Sequence, residues 1–310
     1  MSLRVSTFAA LALAGLLSAA CTASEAAAPE AVSEPAPELA EQSASAPSPP
    51  APPSPPPPAP AQWEFAGELT QGGYIRGTAP QGTVQASLGE QQVAVADDGT
   101  FFAAFDRDAE GALALSATLE SGQIVREQLT ITPRDWQISH VNVARRPGGA
   151  SASFMQRRQP ELDAIWNARQ RQTGAQGWSQ DFIWPVKGRI SGRFGRQRIY
   201  RGEPGGYHSG IDIAPGNGVP FVAPADGVVV LARTGFSLEG GLIIIDHGQG
   251  LNSAFLHASR IVVEEGQTVR QGEHIGNVGS TGRATGPHLH WSLKWHLSRL
   301  DPLLFVGPMN

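Results

Sequence analysis

Short runs in which apolar and polar residues alternate follow one another between residues 63 and 143, among them TVQASL, QVAVA and LALSATL. Alternation with a period of two residues is typical of strands that bury one face. Turn signals that contain glycine, such as Asp98-Gly99, separate the runs. We therefore predict a small antiparallel β-sandwich over residues 63–145, with no cluster of reactive side chains in it.

The next run, PELDAIWNARQRQ, has its apolar residues at helical spacing. Leu162, Ile165 and Trp166 would share one face of a helix. Pro160 suits the first helical position, where a missing N–H costs nothing. We predict that residues 146–181 form a linker with a short amphipathic helix, which packs onto a neighbouring element.

From residue 182 onward, glycine and proline punctuate strong strand candidates such as VVVLA, LIIID and RIVVEE. The stretch VEEGQTVRQGEHIGNVG is similar to small barrels and to biotinyl or lipoyl carrier domains. A carrier needs a modifiable lysine at a hairpin tip, and neither Lys187 nor Lys294 lies in such a hairpin. We predict a second β domain over residues 182–310 and an all-β, mainly antiparallel chain, whose N-terminal sandwich is similar to bacterial immunoglobulin-like modules.

The N-terminal segment has the features of a secretory signal peptide. Arg4 precedes an apolar run from Phe8 to Leu17, which LSAAC follows, and the run is shorter than the roughly 20 residues that a membrane span needs. LSAAC resembles a bacterial lipobox, which implies that Cys21 becomes the lipidated first residue and anchors the protein to a membrane. This predicts a signal peptide with a lipobox-like end over residues 1–21. The alternative is an ordinary signal peptide that is cut after Ala20 or a few residues later and leaves a soluble protein. Either interpretation predicts export to the cell envelope or periplasm.

The composition predicts a disordered segment and argues against some classes of partner and covalent link. Residues 22–62 are almost entirely Ala, Pro, Ser and Glu, which cannot offset the entropy of ordering, so we predict a disordered tether there. The net charge is −5, and no polybasic tract occurs, which argues against a nucleic-acid partner. A single cysteine excludes an intrachain disulfide.

Two histidine-bearing segments are candidates for chemistry. In YHSGIDIAPG, a strand would place His208, Gly210 and Asp212 on one face, and Gly210 would leave the space for a metal open. In PHLHWSL, His288 and His290 would likewise share a face. Each pattern by itself is also common on exposed strands.

Together these segments can supply a catalytic zinc site. Two histidine nitrogens and one carboxylate oxygen, with water in the fourth position, are a common catalytic zinc set. His257, in NSAFLHASR, follows a strand-like run and could project toward the same place. The chain has no HExxH, no GxSxG and no catalytic cysteine pattern, so a metal-activated water is the nucleophile that these residues favour.

The motifs HSGID, FLHAS and GRATGPHLHW, in this order, resemble those of the lysostaphin-type (LytM-type) zinc metallopeptidases, which have a duplicated hybrid motif fold. The family pattern is H-x-G-x-D, then a single His, then H-x-H. The resemblance covers residues 182–302 and includes SGRFG and APADGVVV. Two positions differ, because Phe255 stands where the family often has Tyr, and Ala258 follows the single His where Leu is usual.

The resemblance implies a function for each matching residue. His208, Asp212 and His290 would bind one zinc ion per chain, while His257 and His288 would orient or deprotonate the water and stabilise the tetrahedral oxyanion. The substrate implied is a peptide stem or cross-link of bacterial peptidoglycan. The alternative is a non-catalytic wall-binding or amidase-activating module with a structural metal, acting with a regulatory protein partner that the sequence does not identify.

Overall fold

A computed structural model describes residues 61–144 and 151–309. The predicted signal peptide with Cys21, and all but the last two residues of the predicted tether, lie outside the described residues. In these two ranges, no helix combines the length and the apolar character that a membrane crossing requires.

The first part of the described chain forms seven strands. They are β1 (Glu64–Gly67), β2 (Tyr74–Thr78), β3 (Thr83–Leu88), β4 (Gln91–Val93), β5 (Thr100–Ala104), β6 (Ala112–Leu119) and β7 (Ile124–Thr130). One antiparallel sheet has the order β1-β2-β5 and the other the order β4-β3-β6-β7. Side chains of both sheets, such as Phe101 and Leu115, join one hydrophobic core.

Helix α1 (Ala152–Arg169) is longer than the sequence predicts and begins eight residues before Pro160. Ser151 caps it, since its hydroxyl accepts the N–H of Phe154 at 3.2 Å. Pro160 therefore lies inside the helix, where it cannot donate a hydrogen bond to the preceding turn. The prediction that Pro160 occupies the first helical position was wrong, because a serine cap farther upstream provides the start.

The prediction that Leu162, Ile165 and Trp166 form the packed face of α1 was wrong for two of the three residues. Ile165 packs against the core with Ala164 and Ala168, but Leu162 is 38% exposed and Trp166 is 54% exposed. The small alanines bring the helix close to the sheet beneath it. The larger side chains of Leu162 and Trp166 remain exposed to solvent.

A small mixed sheet follows, which contains β8 (Ile138–Val141), β10 (Gln197–Tyr200) and β11 (Glu203–Tyr207). Strand β8 precedes the predicted boundary at residue 145, yet it pairs in parallel with β10, which lies in the predicted second domain. The hairpin β10–β11 is the segment RQRIYRGEPGGY.

The remaining strands build the C-terminal part of the chain. They are β9 (Arg189–Gly192), β12 (Ile211–Ala214), β13 (Pro220–Val222), β14 (Gly227–Phe236), β15 (Gly240–Gly248), β16 (Leu251–Leu256), β17 (Arg260–Ile261), β18 (Thr268–Val269), β19 (His274–Asn277), β20 (Leu289–Trp295) and β21 (Ser298–Leu300). Short 3-10 helices span Gly177–Ser179 and Pro302–Leu304.

Eight of these strands form one antiparallel sheet. Its order is β18-β14-β15-β16-β20-β12-β9, and β21 also pairs with β20. A smaller antiparallel sheet has the order β13-β19-β17. Apart from the β8–β10 pair and a single bridge between Thr70 and Thr132, the strand pairing in the described residues is antiparallel, so the predicted all-β class is confirmed.

The two faces of the eight-stranded sheet have different partners. Leu289, Trp291 and Leu293 of β20 point into the main core, which also holds the apolar side chains of the first two sheets. Residues on the opposite face of β14, β15 and β16 pack under α1. Since side chains alternate along a strand, His290 shares the face that carries α1.

Candidate metal centre

Asp212 of β12 and His290 of β20 are cross-strand partners in the middle of the large sheet. Directly paired residues in adjoining strands hold their side chains on the same face. Oδ1 of Asp212 consequently lies 2.9 Å from Nδ1 of His290.

His208 completes a triangle of ligand atoms. Strand β12 begins at Ile211, so His208 precedes the strand in which the sequence placed it. Its Nε2 nevertheless lies 3.1 Å from Oδ1 of Asp212 and 3.0 Å from Nδ1 of His290. Backbone hydrogen bonds with the segment 195–196 hold His208 in this position.

The three atoms fit a tetrahedral zinc ion. Bonds of about 2.0–2.1 Å at tetrahedral angles separate ligand atoms by about 3.3 Å, close to the distances found between His208, Asp212 and His290. Nδ1 of His208 donates to the carbonyl of Arg193 at 3.0 Å, which turns the lone pair of Nε2 toward the other two ligands. Two nitrogens and one carboxylate oxygen leave a fourth position open.

The electrostatics of the triangle favour the ligand forms of Asp212 and His290, whereas the pKa of His208 is raised, because burial is outweighed by its hydrogen bond to Asp212 together with the charge of that carboxylate. Burial would raise the pKa of Asp212, but the hydrogen bonds from His208 and His290 lower it well below the ordinary value. Burial lowers the pKa of His290. At neutral pH the carboxylate is charged and the His290 ring is neutral, which are the forms that bind a metal.

His257 and His288 lie side by side next to the triangle, with ring centroids 4.8 Å apart. Nδ1 of His257 donates to the carbonyl of Thr281, and Nδ1 of His288 donates to the carbonyl of Gly286, each at 2.8 Å. In the neutral form of either ring, the proton is therefore on Nδ1, and Nε2 is the nitrogen with a free lone pair. Nε2 of His288 is 3.7 Å from Oδ1 of Asp212.

The position of His257 depends on an uncommon backbone conformation. His257 follows β16 with φ 67°, in the left-handed region. Its N–H donates to the carbonyl of Glu239 at 2.8 Å, which holds the turn. Burial lowers the pKa of its ring, so His257 is neutral at neutral pH.

Two glycines make room for these side chains. A Cβ atom on Gly210 would lie 2.4 Å from the carbonyl oxygen of Trp291 and 2.8 Å from Nε2 of His290. Gly210 therefore permits close packing of the His290 ring, and the space that it leaves open is not primarily that of the metal. The second glycine, Gly192 of β9, was missed by the sequence reasoning. A Cβ there would lie 2.3 Å from Oδ2 of Asp212. The motif SGRFG, which contains Gly192, was the one local sequence feature that could have indicated its role.

The two departures from the family pattern are not among the three candidate ligands. Phe255 is fully buried and stacks on Phe221 with ring centroids 5.6 Å apart, within the main core. Ala258 is also buried in that core. His247 is fully buried as well, and its nitrogens bond to the carbonyl of Asp226 and the hydroxyl of Ser253.

The chain is similar to known proteins over its C-terminal part. Residues 206–302 match the profile of Peptidase family M23. A segment of 116 residues, 36% of this chain, is 41% identical to the peptidoglycan DD-endopeptidase ShyA of Vibrio cholerae and covers 26% of that protein. A segment of 123 residues, 40% of this chain, is 34% identical to the murein hydrolase activator NlpD of Escherichia coli and covers 30% of it. The chain thus matches less than a third of either relative.

A solved structure of a peptidase M23 from Pseudomonas aeruginosa has the same fold over a larger part of the chain. It is 26% identical with a TM-score of 0.61, and the likeness covers 77% of this chain and 96% of the other. Together with the profile match and the order of the histidine motifs, this likeness identifies the C-terminal part of the chain as a LytM-type domain of peptidase family M23.

Proposed function

We propose that this protein is a zinc-dependent endopeptidase that hydrolyses peptide cross-links of bacterial peptidoglycan. The observation that carries the proposal is the triangle of His208, Asp212 and His290, with His257 and His288 beside it. The similarity to ShyA, a peptidoglycan DD-endopeptidase, supports the substrate class.

His208 and His290 would hold the ion through nitrogen, and Asp212 would hold it through Oδ1. A zinc ion in this site would act as a Lewis acid on the scissile carbonyl and lower the pKa of water to near 7. Asp212 contributes the negative charge that offsets part of the charge of the metal. The backbone carbonyl of Arg193 fixes the orientation of His208.

His257 and His288 would transfer protons in the reaction. In its neutral form, each ring presents an unprotonated Nε2, because its Nδ1 donates to a backbone carbonyl. Such a nitrogen can accept the proton of the attacking water and, once protonated, can donate a hydrogen bond to the developing oxyanion or a proton to the leaving amine. Burial lowers the pKa of His257, which keeps the ring unprotonated before the reaction.

The place of action would be the cell envelope. The signal-like segment 1–21 and the lipobox-like LSAAC support export, with a lipid on Cys21 as the anchor. The Ala/Pro-rich segment 22–62 would then carry the peptidase domain away from the membrane.

A second candidate function is activation of another wall hydrolase. Its support is the similarity to NlpD, a murein hydrolase activator. In that case the metal would be structural, and the chain would act through a partner enzyme. The set of three ligand-type residues, with His257 and His288 beside them, favours catalysis, since activation alone does not require two further histidines next to the ligand triangle.

Digestion of purified peptidoglycan separates the two functions. The chain loaded with zinc should release muropeptides without any other enzyme, and a chelator should abolish the release. Mass spectrometry of the products would identify the bond that is cleaved. Release that occurs only with an added amidase, and that the chelator does not affect, would favour the activator.

A further inference from the structure

Lys294 lies on the same sheet face as the metal ligands. It follows His290 by four residues in β20, and even-numbered residues of this strand share one face. Four residues of extended strand place the two Cα atoms about 13 Å apart. The position is distinct from the site of the three ligands.

Two further cations surround Lys294. Arg299 of β21 is its direct cross-strand partner on one side, and Asn252 of β16 is its partner on the other. Nη1 of Arg169, in the last turn of α1, donates to Oδ1 of Asn252. Helix α1, which packs on the large sheet, thus brings the guanidinium of Arg169 to the cross-strand neighbour of Lys294 as the third cation.

These cations have no directly paired carboxylate in the described residues, although Asp106 and Asp108 attract Arg299. In the ranges that the structure describes, neither Arg169, Lys294 nor Arg299 forms a salt bridge with an aspartate or glutamate. A carboxylate on this side, that of Asp106, accepts the backbone N–H of Arg299 at 2.8 Å. The guanidinium carbon of Arg299 lies 5.2 Å from the ring centroid of Tyr207, the residue that precedes the ligand His208.

Electrostatics show the cost of this arrangement. Burial, together with repulsion from Arg169 and Arg299, lowers the pKa of Lys294 to about 8. Burial and repulsion from Arg299 lower the pKa of Arg169 to about 10. Arg299 differs, because its hydrogen bond to the Tyr207 side chain, with Asp106 and Asp108 nearby, raises its pKa above the ordinary value. An anion placed among the three cations would relieve the lowering at Lys294 and Arg169, because an opposite charge favours the charged form of each group.

We propose that Arg169, Lys294 and Arg299 form a carboxylate-binding subsite that selects the peptide to be cleaved. The proposal rests on the endopeptidase function proposed above. The ligand is a peptide with a free carboxylate, and about four extended residues would separate that group from the bond at the metal site. A planar guanidinium can bind a carboxylate through two hydrogen bonds, and the ammonium of Lys294 adds a third contact.

The test compares stem peptides released from purified peptidoglycan in two forms, one with free carboxylates and one amidated with a carbodiimide. Binding to the full chain is measured calorimetrically after the metal has been removed, so that no cleavage interferes. The wild-type chain should bind the free-carboxylate form about tenfold more tightly, in keeping with the loss expected for a hydrogen bond to a charged group.

Lys294→Met and Arg299→Gln should each abolish that preference. Because Arg299 is exposed, we expect Arg299→Gln to fold even if Lys294→Met does not, and circular dichroism checks this. Arg233→Gln is the matched control, because Arg233 lies on β14 of the same sheet and pairs with Glu265. In kinetics, the two test variants should raise KM for the free-carboxylate substrate and leave kcat unchanged.

The outcomes for the subsite and for the enzyme are distinguishable. Selective binding that the variants remove, in a chain that cleaves nothing, would support the subsite and refute the endopeptidase. Cleavage by a chain that binds both forms equally well would overturn the subsite alone. Equal losses in Arg233→Gln and Lys294→Met would also overturn it.

Discussion

Gly192 of β9 and Asp212 of β12 are cross-strand partners, and a Cβ atom on Gly192 would lie 2.3 Å from Oδ2 of Asp212. No real Cβ contact is that short, so a side chain at residue 192 must displace the carboxylate. Asp212 also hydrogen-bonds both histidine ligands, which makes the whole triangle sensitive to its position.

Gly192→Ala should therefore weaken zinc binding. We expect a loss of affinity of about 10- to 100-fold, the range found for changes in residues that support metal ligands. Competition with a chromophoric chelator measures it. Gly206→Ala is the control, because a Cβ atom there would meet no atom within 4 Å and the residue does not need a positive φ. An unchanged zinc affinity in Gly192→Ala would show that the carboxylate can shift without cost.

The two histidines of PHLHW should differ when replaced. His290→Ala removes a ligand atom, so the variant should lose both bound zinc and turnover. His288→Ala should keep zinc, because His288 is not part of the ligand triangle and its Nε2 lies beside that triangle, 3.7 Å from Oδ1 of Asp212. It should lose about 10²- to 10⁴-fold in kcat, as expected for a proton-transfer residue. Elemental analysis of the purified variants and digestion of peptidoglycan provide the two measurements. Full activity in His288→Ala would contradict its role.

Arg158 should be the residue that fixes α1 to the sheet. Its guanidinium contacts both carboxylate oxygens of Glu239 at 2.7 Å and one oxygen of Glu161 at 2.6 Å, and its side chain is 7% exposed. The backbone carbonyl of Glu239 also accepts the N–H of His257, so the contact lies next to the candidate site. Arg158→Ala should lower the free energy of unfolding by about 3 kcal/mol, because two largely buried carboxylates lose their partner.

Urea titration monitored by circular dichroism measures that change. Arg233→Ala is the control, since Arg233 is 56% exposed and its pair with Glu265 should contribute less than about 1 kcal/mol. Similar losses in both variants would show that burial of the Arg158 cluster adds nothing.

His247 should make the stability of the protein depend on pH. Burial lowers its pKa to about 4, compared with about 6.5 in the unfolded chain. The folded state thus favours the neutral ring, and its contribution is complete above pH 6.5 and is lost as the pH falls toward 4. The loss amounts to roughly 3 kcal/mol.

The urea midpoint of the wild-type chain should accordingly fall between pH 6.5 and 4 more steeply than that of His247→Gln, which has no ring to protonate. Comparison of the two proteins at each pH removes the effect of carboxylates elsewhere. Parallel pH profiles would refute the role of His247.

Several features of the site followed from local sequence alone. Residues two apart on a strand share a face, so the H-x-H pattern was enough to predict that His288 and His290 lie together. The order of the three motifs carried the resemblance to the LytM-type family, and alternation carried the all-β class. The position of His257 after a strand-like run was also visible in the sequence.

Other features depend on contacts between distant segments, which local patterns do not record. Register places Gly192 opposite Asp212, and Arg299 and Asn252 beside Lys294, because hydrogen bonds between strands decide which residues face one another. The packing of α1 on small alanines exposes Trp166, although periodicity alone assigned it to the buried face. The sequence by itself thus determined the chemical groups and the strand faces on which they lie. Only the tertiary structure decided which of those groups meet, because the distance between two side chains depends on packing over the whole sheet.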